Sequence, residues 1–124
     1  MPVSDGYVEL LKDLLADLAP ITARRMFSGV GLFADGVMFA LLIDDALYLK
    51  ADDETRGTFE AEGLAPFTYV RSGRKVALSY WRAPERLLDD REEMHGWASR
   101  ALAAARQASA DASRRRNPRR RKAP

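Results

Sequence analysis

The 124 residues contain no cysteine and a single histidine. The first absence removes disulfides, thiol nucleophiles and thiolate metal ligands, and it fits a reducing cytosol. The second leaves serine hydroxyls short of an activating base and leaves a metal only scattered carboxylates to bind. No uninterrupted apolar run nears the roughly 18 residues of a membrane span. The N-terminus, MPVSDGYVEL, lacks a basic stretch leading into an apolar core, so no secretory signal is expected. These absences point to a cytoplasmic chain with no catalytic centre, cofactor or metal. Its length suits one domain, and 47% apolar residues suffice for one core.

Acidic residues are missing from the end of the chain. Residues 114–124 hold six arginines and one lysine, whereas residues 1–113 hold thirteen cations against eighteen carboxylates, a net of −5. The overall basic character therefore belongs to the tail. A division into residues 1–108 as the folded domain and 109–124 as a disordered Arg-rich tail follows, because the tail has too little apolar surface to offset its ordering entropy.

Within the body, Ser4 or Asp5 can cap a first helix, behind which Tyr7, Leu11, Leu14, Leu15 and Leu18 recur at helical spacing until Pro20. The stretch from Met26 to Lys50 then carries apolar runs too short for helices. Three strands are expected there, with Ser28-Gly29-Val30-Gly31 as a bulge in the first and turns at Asp35-Gly36 and Asp44-Asp45. Asp52 is placed to cap a second helix holding Phe59 and ending at Gly63. Two more strands, Phe67–Val70 and Val76–Tyr80, flank Ser72-Gly73, with Arg71, Arg74 and Lys75 at the exposed end. Pro84 begins a short helical turn. Asp90 and Glu93 open a last helix whose buried stripe is Met94, Trp97, Ala98, Ala101, Leu102 and Ala105. The order α-β-β-β-α-β-β-α, joined by hairpins, predicts a two-layer α+β domain with a five-stranded antiparallel sheet covered by helices.

Three sets of residues carry a resemblance. They are Arg25-Met26-Phe27-Ser28-Gly29-Val30-Gly31-Leu32-Phe33, then Asp35-Gly36, then Leu47-Tyr48-Leu49-Lys50. With Phe67-Thr68-Tyr69, Ser79-Tyr80-Trp81, Pro84-Glu85 and Trp97 in the same order, residues 4–108 resemble the N-terminal domain of the TfoX/Sxy proteins. The resemblance implies a sheet architecture similar to secretion chaperones, with homodimerisation as an analogy. It also implies a tie to bacterial competence regulators, which act in transcription through protein partners. It brings no catalytic residues.

Three candidate sites can be weighed from the residues. The Ser28–Gly31 segment is not a phosphate loop, since a strand rather than a helix N-terminus follows and no Gly-Lys-Ser/Thr is present. Tyr48, Lys50, Tyr80, Trp81 and Arg82, with Tyr69 nearby, alternate aromatics and cations on strands. That pattern suits a platform for a partner, or ordinary cross-strand packing. Arg114, Arg115, Arg116, Arg119, Arg120, Arg121 and Lys122 form a polybasic arm suited to phosphate backbones without sequence preference. The function expected is a non-enzymatic regulatory adaptor acting through protein partners. Direct, sequence-nonspecific nucleic-acid binding by the tail is the alternative.

Overall fold

The first helix starts where Ser4 breaks the extended chain: its hydroxyl accepts a hydrogen bond from the Tyr7 N–H at 3.2 Å. In the computed structural model, which describes residues 3–26 and 29–116, this helix is α1 (Asp5–Leu14), with Val8, Leu11 and Leu14 buried. The Ser4 N–H and hydroxyl both donate to the Asp45 carboxylate, at 2.9 and 3.3 Å, so the helix start is tied to a hairpin turn.

Four strands follow rather than three: β1 (Thr22–Met26), β2 (Gly29–Ala34), β3 (Val37–Ile43) and β4 (Ala46–Lys50). The bulge expected at Ser28–Gly31 is replaced by a reversal. β1 and β2 are antiparallel, with Met26 opposite Gly29, and the sheet has six strands instead of five. Apolar residues flank the glycines on both sides, so a bulged strand and two paired strands carry the same hydrophobic pattern. Ser28 itself lies outside the described residues. A register shift does occur one hairpin later, where Leu32 pairs with Ala40 and Phe33 with Met38, leaving Phe39 as the extra residue of β3.

The turns Asp35-Gly36, Asp44-Asp45 and Ser72-Gly73 have positive φ at both central residues, between 50° and 80°. That is the backbone twist two-residue hairpins require. The Asp52 carboxylate accepts from the Glu54 and Thr55 N–H groups and the Thr55 hydroxyl. It thus caps the turn leading into α2 (Arg56–Ala61), which begins three residues later than a direct cap would place it. β5 (Pro66–Arg71) and β6 (Arg74–Arg82) complete the sheet in the order β1-β2-β3-β4-β6-β5. A 3-10 turn (Glu85–Asp89) follows Pro84 and leads to α3 (Arg91–Arg116). Asp90 accepts from the Glu93 N–H at 3.0 Å, half of the expected capping box. The Glu93 carboxylate turns instead to Arg86 and the Trp97 indole.

Cross-strand pairing sorts the sheet into two faces. Val30, Leu42 and Leu47 form one row, and Leu32, Ala40, Leu49 and Trp81 the next. All are buried in one core with Leu11, Leu15, Phe59, Leu87, Met94, Trp97, Ala98 and Leu102. The alanines of α3 let it lie across β3 and β4. Phe59 meets Trp97 edge-on at 5.1 Å and Trp81 at 6.0 Å, an aromatic hinge joining α2, α3 and β6.

α3 continues through residues 109–116, where the sequence leads one to expect disorder. Asp111 accepts from Gln107 and pairs with Arg114. Such i,i+4 and i,i+3 contacts propagate a helix after its apolar stripe has ended. Arg119, Arg120, Arg121 and Lys122 lie outside the described residues.

Candidate interaction surfaces

All three helices put their buried side chains on one side of the sheet, and among the described residues none covers the other. Across that open face, pairing aligns Arg24, Gly31, Leu41, Tyr48 and Arg82 in one row over five strands. Residues directly opposite in antiparallel strands share a face, so Lys50 and Tyr80 form a neighbouring row, and Phe33 and Met38 another. Of the expected platform, Tyr48 and Arg82 therefore come together on the open face, whereas Lys50 and Tyr80 stand at its border with α3, beside Ala105 and Ala108. Trp81 joins neither pair. It alternates to the core face and is only 9% exposed, against Phe59.

The open face is apolar at its centre and cationic at its margins. Leu41 is 6% exposed although no helix packs on it, and Phe33, Met38, Ile43 and Tyr48 are half-buried. Phe67 meets Tyr48 edge-on at 5.5 Å. Arg24 lies over the Phe33 ring at 5.6 Å, and Arg82 pairs with Glu85 at 3.2 Å. The Lys50 ammonium sits 5.2 Å from the centre of the Tyr80 ring and donates to the Ser79 hydroxyl. Burial pulls its pKa below the ordinary lysine value, with Asp52 opposing. The Tyr80 hydroxyl donates to the Met38 carbonyl at 2.8 Å, and burial pushes its pKa up to about 12.

Arg24, Phe33, Met38, Leu41 and Phe67 belong to this face but carry no sequence signal of their own. Only the strand register brings them together. The glycine at position 31 is the one hint. A Cβ there would lie 2.6 Å from the Met38 sulfur, so side chains of this face close over the glycine.

The remaining candidates fall elsewhere. His95 is exposed on α3, its Nδ1 3.5 Å from the Ser99 hydroxyl, and the Ser79 hydroxyl faces Lys50 rather than a base. No group of three or more His, Asp or Glu among the described residues is placed to hold a metal ion. Among them, too, no helix is long and apolar enough to cross a membrane. Arg114 and Arg115 are exposed on the last turns of α3.

Comparison with known proteins places this architecture. Residues 68 in number align at 34% identity with DNA transformation protein TfoX1 of Aliivibrio fischeri, covering 55% of this chain and 32% of that protein. Over 76 residues the chain is 33% identical to Protein Sxy of Escherichia coli, 61% of this chain and 36% of Sxy. The chain thus spans about a third of the length of these curated relatives. The model of the TfoX N-terminal domain matches residues 13–105, from the end of α1 to the middle of α3 and through all six strands, and the chain belongs to the TfoX N-terminal domain family.

Proposed function

We propose that the protein is a non-catalytic regulatory adaptor of the competence-regulator type, acting in the cytoplasm and docking a protein of the transcription machinery on the open face of its sheet. The observation that carries this reading is the row Arg24–Gly31–Leu41–Tyr48–Arg82, which crosses five strands without a covering helix. An apolar centre with a charged rim is the anatomy of a protein interface, and its aromatic and arginine content matches interface hot spots. The transcriptional assignment rests on the resemblance to the TfoX/Sxy proteins, and one relative is a DNA transformation protein.

Affinity capture from a bacterial lysate treated with nuclease tests it. Wild type is compared with Tyr48→Glu and with a chain in which Arg114, Arg115, Arg116, Arg119, Arg120, Arg121 and Lys122 are glutamine. A partner kept by the tail variant, and bound at least about 30-fold more weakly by Tyr48→Glu, supports the adaptor; that loss is the ~2 kcal/mol of a hot spot. Capture indifferent to Tyr48→Glu refutes the docking face. Self-association lost in Tyr48→Glu makes the occupant a second copy.

Direct, sequence-nonspecific nucleic-acid binding by the basic C-terminal segment is the second reading. It is favoured by the run of α3 past the sheet, which carries Arg114 and Arg115 away from the acidic body.

A further inference from the structure

The hairpin formed by β5 and β6 leaves the sheet. β6 pairs with β4 only through Tyr80, Trp81 and Arg82, and one further hydrogen bond joins Ala51 N–H to the Ser79 carbonyl at 2.8 Å. Beyond it, residues 74–78 pair with β5 alone, so the arm overhangs the sheet by about 17 Å at ~3.4 Å per residue. Its tip carries Arg71, Arg74 and Lys75, all exposed, and no carboxylate among the described residues pairs with them. Arg71 lies opposite Arg74, and Tyr69 shares their face two residues back, 38% exposed. Val70, on the other face, is 68% exposed. From Gly63 to Pro84 the chain has four cations and no acid, although the body as a whole is acidic.

The direction of the overhang matters. β4 ends, β3 begins and β2 ends at the same end of the sheet from which the hairpin projects. α3 reaches that end too, because Arg106 pairs with Asp35 in the β2–β3 turn. Its ten further residues carry it about 15 Å past that point at ~1.5 Å per residue. One end of the sheet therefore presents two arms, a β-hairpin and a helix, both tipped with arginine.

We propose that the β5–β6 hairpin tip is a nucleic-acid contact, in which Arg71, Arg74 and Lys75 engage a phosphate backbone and Tyr69 offers a ring to sugar or base. It rests on the nucleic-acid reading and moves the main contact from the tail to a folded element. Duplex DNA carries one charge per about 1.7 Å, so a tip a few residues wide meets several phosphates in any register. A folded acidic protein would have to match three fixed positions. A two-stranded ribbon also fits the dimensions of the DNA major groove. The body as a whole is acidic, whereas this end of the sheet carries two arginine-tipped arms, so a polyanion is drawn to it.

Fluorescence anisotropy of the full chain with a 20-base-pair DNA duplex, a 20-base-pair RNA duplex, single-stranded DNA and poly-glutamate tests the proposal over a salt range. The variants are Arg71→Gln/Arg74→Gln/Lys75→Gln, the seven-glutamine tail variant, Tyr69→Ala, and Lys12→Gln as a control for lost charge. Thermal melts establish that each is folded. Three lost phosphate contacts should flatten the log–log salt slope on duplex by about 2.7. Wild-type affinity should then fall about 40-fold more than that of the hairpin variant between 50 and 200 mM salt. Loss of affinity with Tyr69→Ala only on single strands would place its ring on bases, and the duplex on which the slope is steeper identifies DNA or RNA. An unchanged slope in the hairpin variant, with a slope that collapses in the tail variant, overturns the hairpin and leaves the nucleic-acid reading standing. No duplex binding by wild type at 50 mM salt overturns both. Hairpin-dependent binding of poly-glutamate without duplex binding makes the partner an acidic protein and also overturns the proposal.

Discussion

Two glycines in β2 separate steric cost by what stands in the way. A Cβ on Gly29 would lie 2.5 Å from the Leu42 carbonyl oxygen and 2.5 Å from the Ile43 Cδ1. The methyl of Ile43 can rotate away, but the Leu42 carbonyl belongs to the neighbouring strand, and moving it shifts the ladder. A Cβ on Gly31 would meet the Met38 sulfur at 2.6 Å, the Met26 methyl at 3.1 Å and the Phe33 ring edge at 3.1 Å, all ends of side chains. Methionine adapts to such intrusion at little cost. Replacing glycine by alanine in a strand gains about 0.5–1 kcal/mol from the backbone, whereas overpacking costs about 1–3 kcal/mol. Gly29→Ala should therefore destabilise by about 1–2 kcal/mol, and Gly31→Ala should stay within about 0.5 kcal/mol of wild type. In a domain of this size each kcal/mol moves Tm by roughly 4–8 °C. Thermal melts followed by circular dichroism should show Gly29→Ala about 5–15 °C below wild type and Gly31→Ala within about 4 °C. Equal losses, or a larger one for Gly31→Ala, would refute the argument that backbone rather than side chain decides the cost.

Two titrations check the electrostatics. Burial raises the Tyr80 pKa from 10.0 to about 12, so its contribution to stability is complete below pH 10 and is lost as pH rises through 12. Ultraviolet titration should find one fewer tyrosine still protonated at pH 11 in Tyr80→Phe than in wild type. That variant also loses the bond to the Met38 carbonyl and should be destabilised by about 0.5–1.5 kcal/mol in urea. At the other limb, hydrogen bonds from Arg86 hold the Glu62 and Glu93 carboxyls below their ordinary value of 4.5. Their stabilisation is present above that pH and disappears as pH falls through the lowered values. The Tm difference between wild type and Arg86→Gln should accordingly be largest near pH 6 and vanish near pH 2. A difference that persists in acid would assign Arg86 a packing role instead.

Most of the fold was legible because its signals are local. Ser4, Asp35-Gly36, Ser72-Gly73 and Gly63 announce caps and turns through their own side chains or backbone freedom, and the α3 stripe repeats at helical spacing. The sixth strand was not legible, since apolar residues on both sides of Ser28–Gly31 read the same whether the chain bulges or reverses. Asp111 with Gln107 and Arg114 extended α3 by polar contacts that hydrophobic periodicity does not register. The candidate surfaces divide in the same way. Tyr48, Lys50, Tyr80 and Arg82 were recognisable as aromatic and cationic strand residues. Sequence adjacency groups Trp81 with them, although alternation sends it to the opposite face. Arg24 and Leu41 required the register of five strands, which no local pattern encodes.

The two surfaces divide the molecule by direction. The open face looks away from the helices, and the hairpin arm extends along the strands, roughly at right angles to the direction in which that face looks. Phosphate attraction falls off over about 8 Å at physiological salt. Arms overhanging by about 15–17 Å therefore carry their charge beyond the screened reach of the acidic body. That explains why a chain with a net body charge of −5 need not repel a polyanion: of the carboxylates near the arms, Asp35 and Asp111 are paired with arginine and Asp52 is held by the Glu54 and Thr55 N–H groups. A nucleic acid held at the end of the sheet leaves Tyr48 and Leu41 open to a protein. The geometry thus suits an adaptor that touches both at once, with specificity supplied by the partner and retention supplied by the arms.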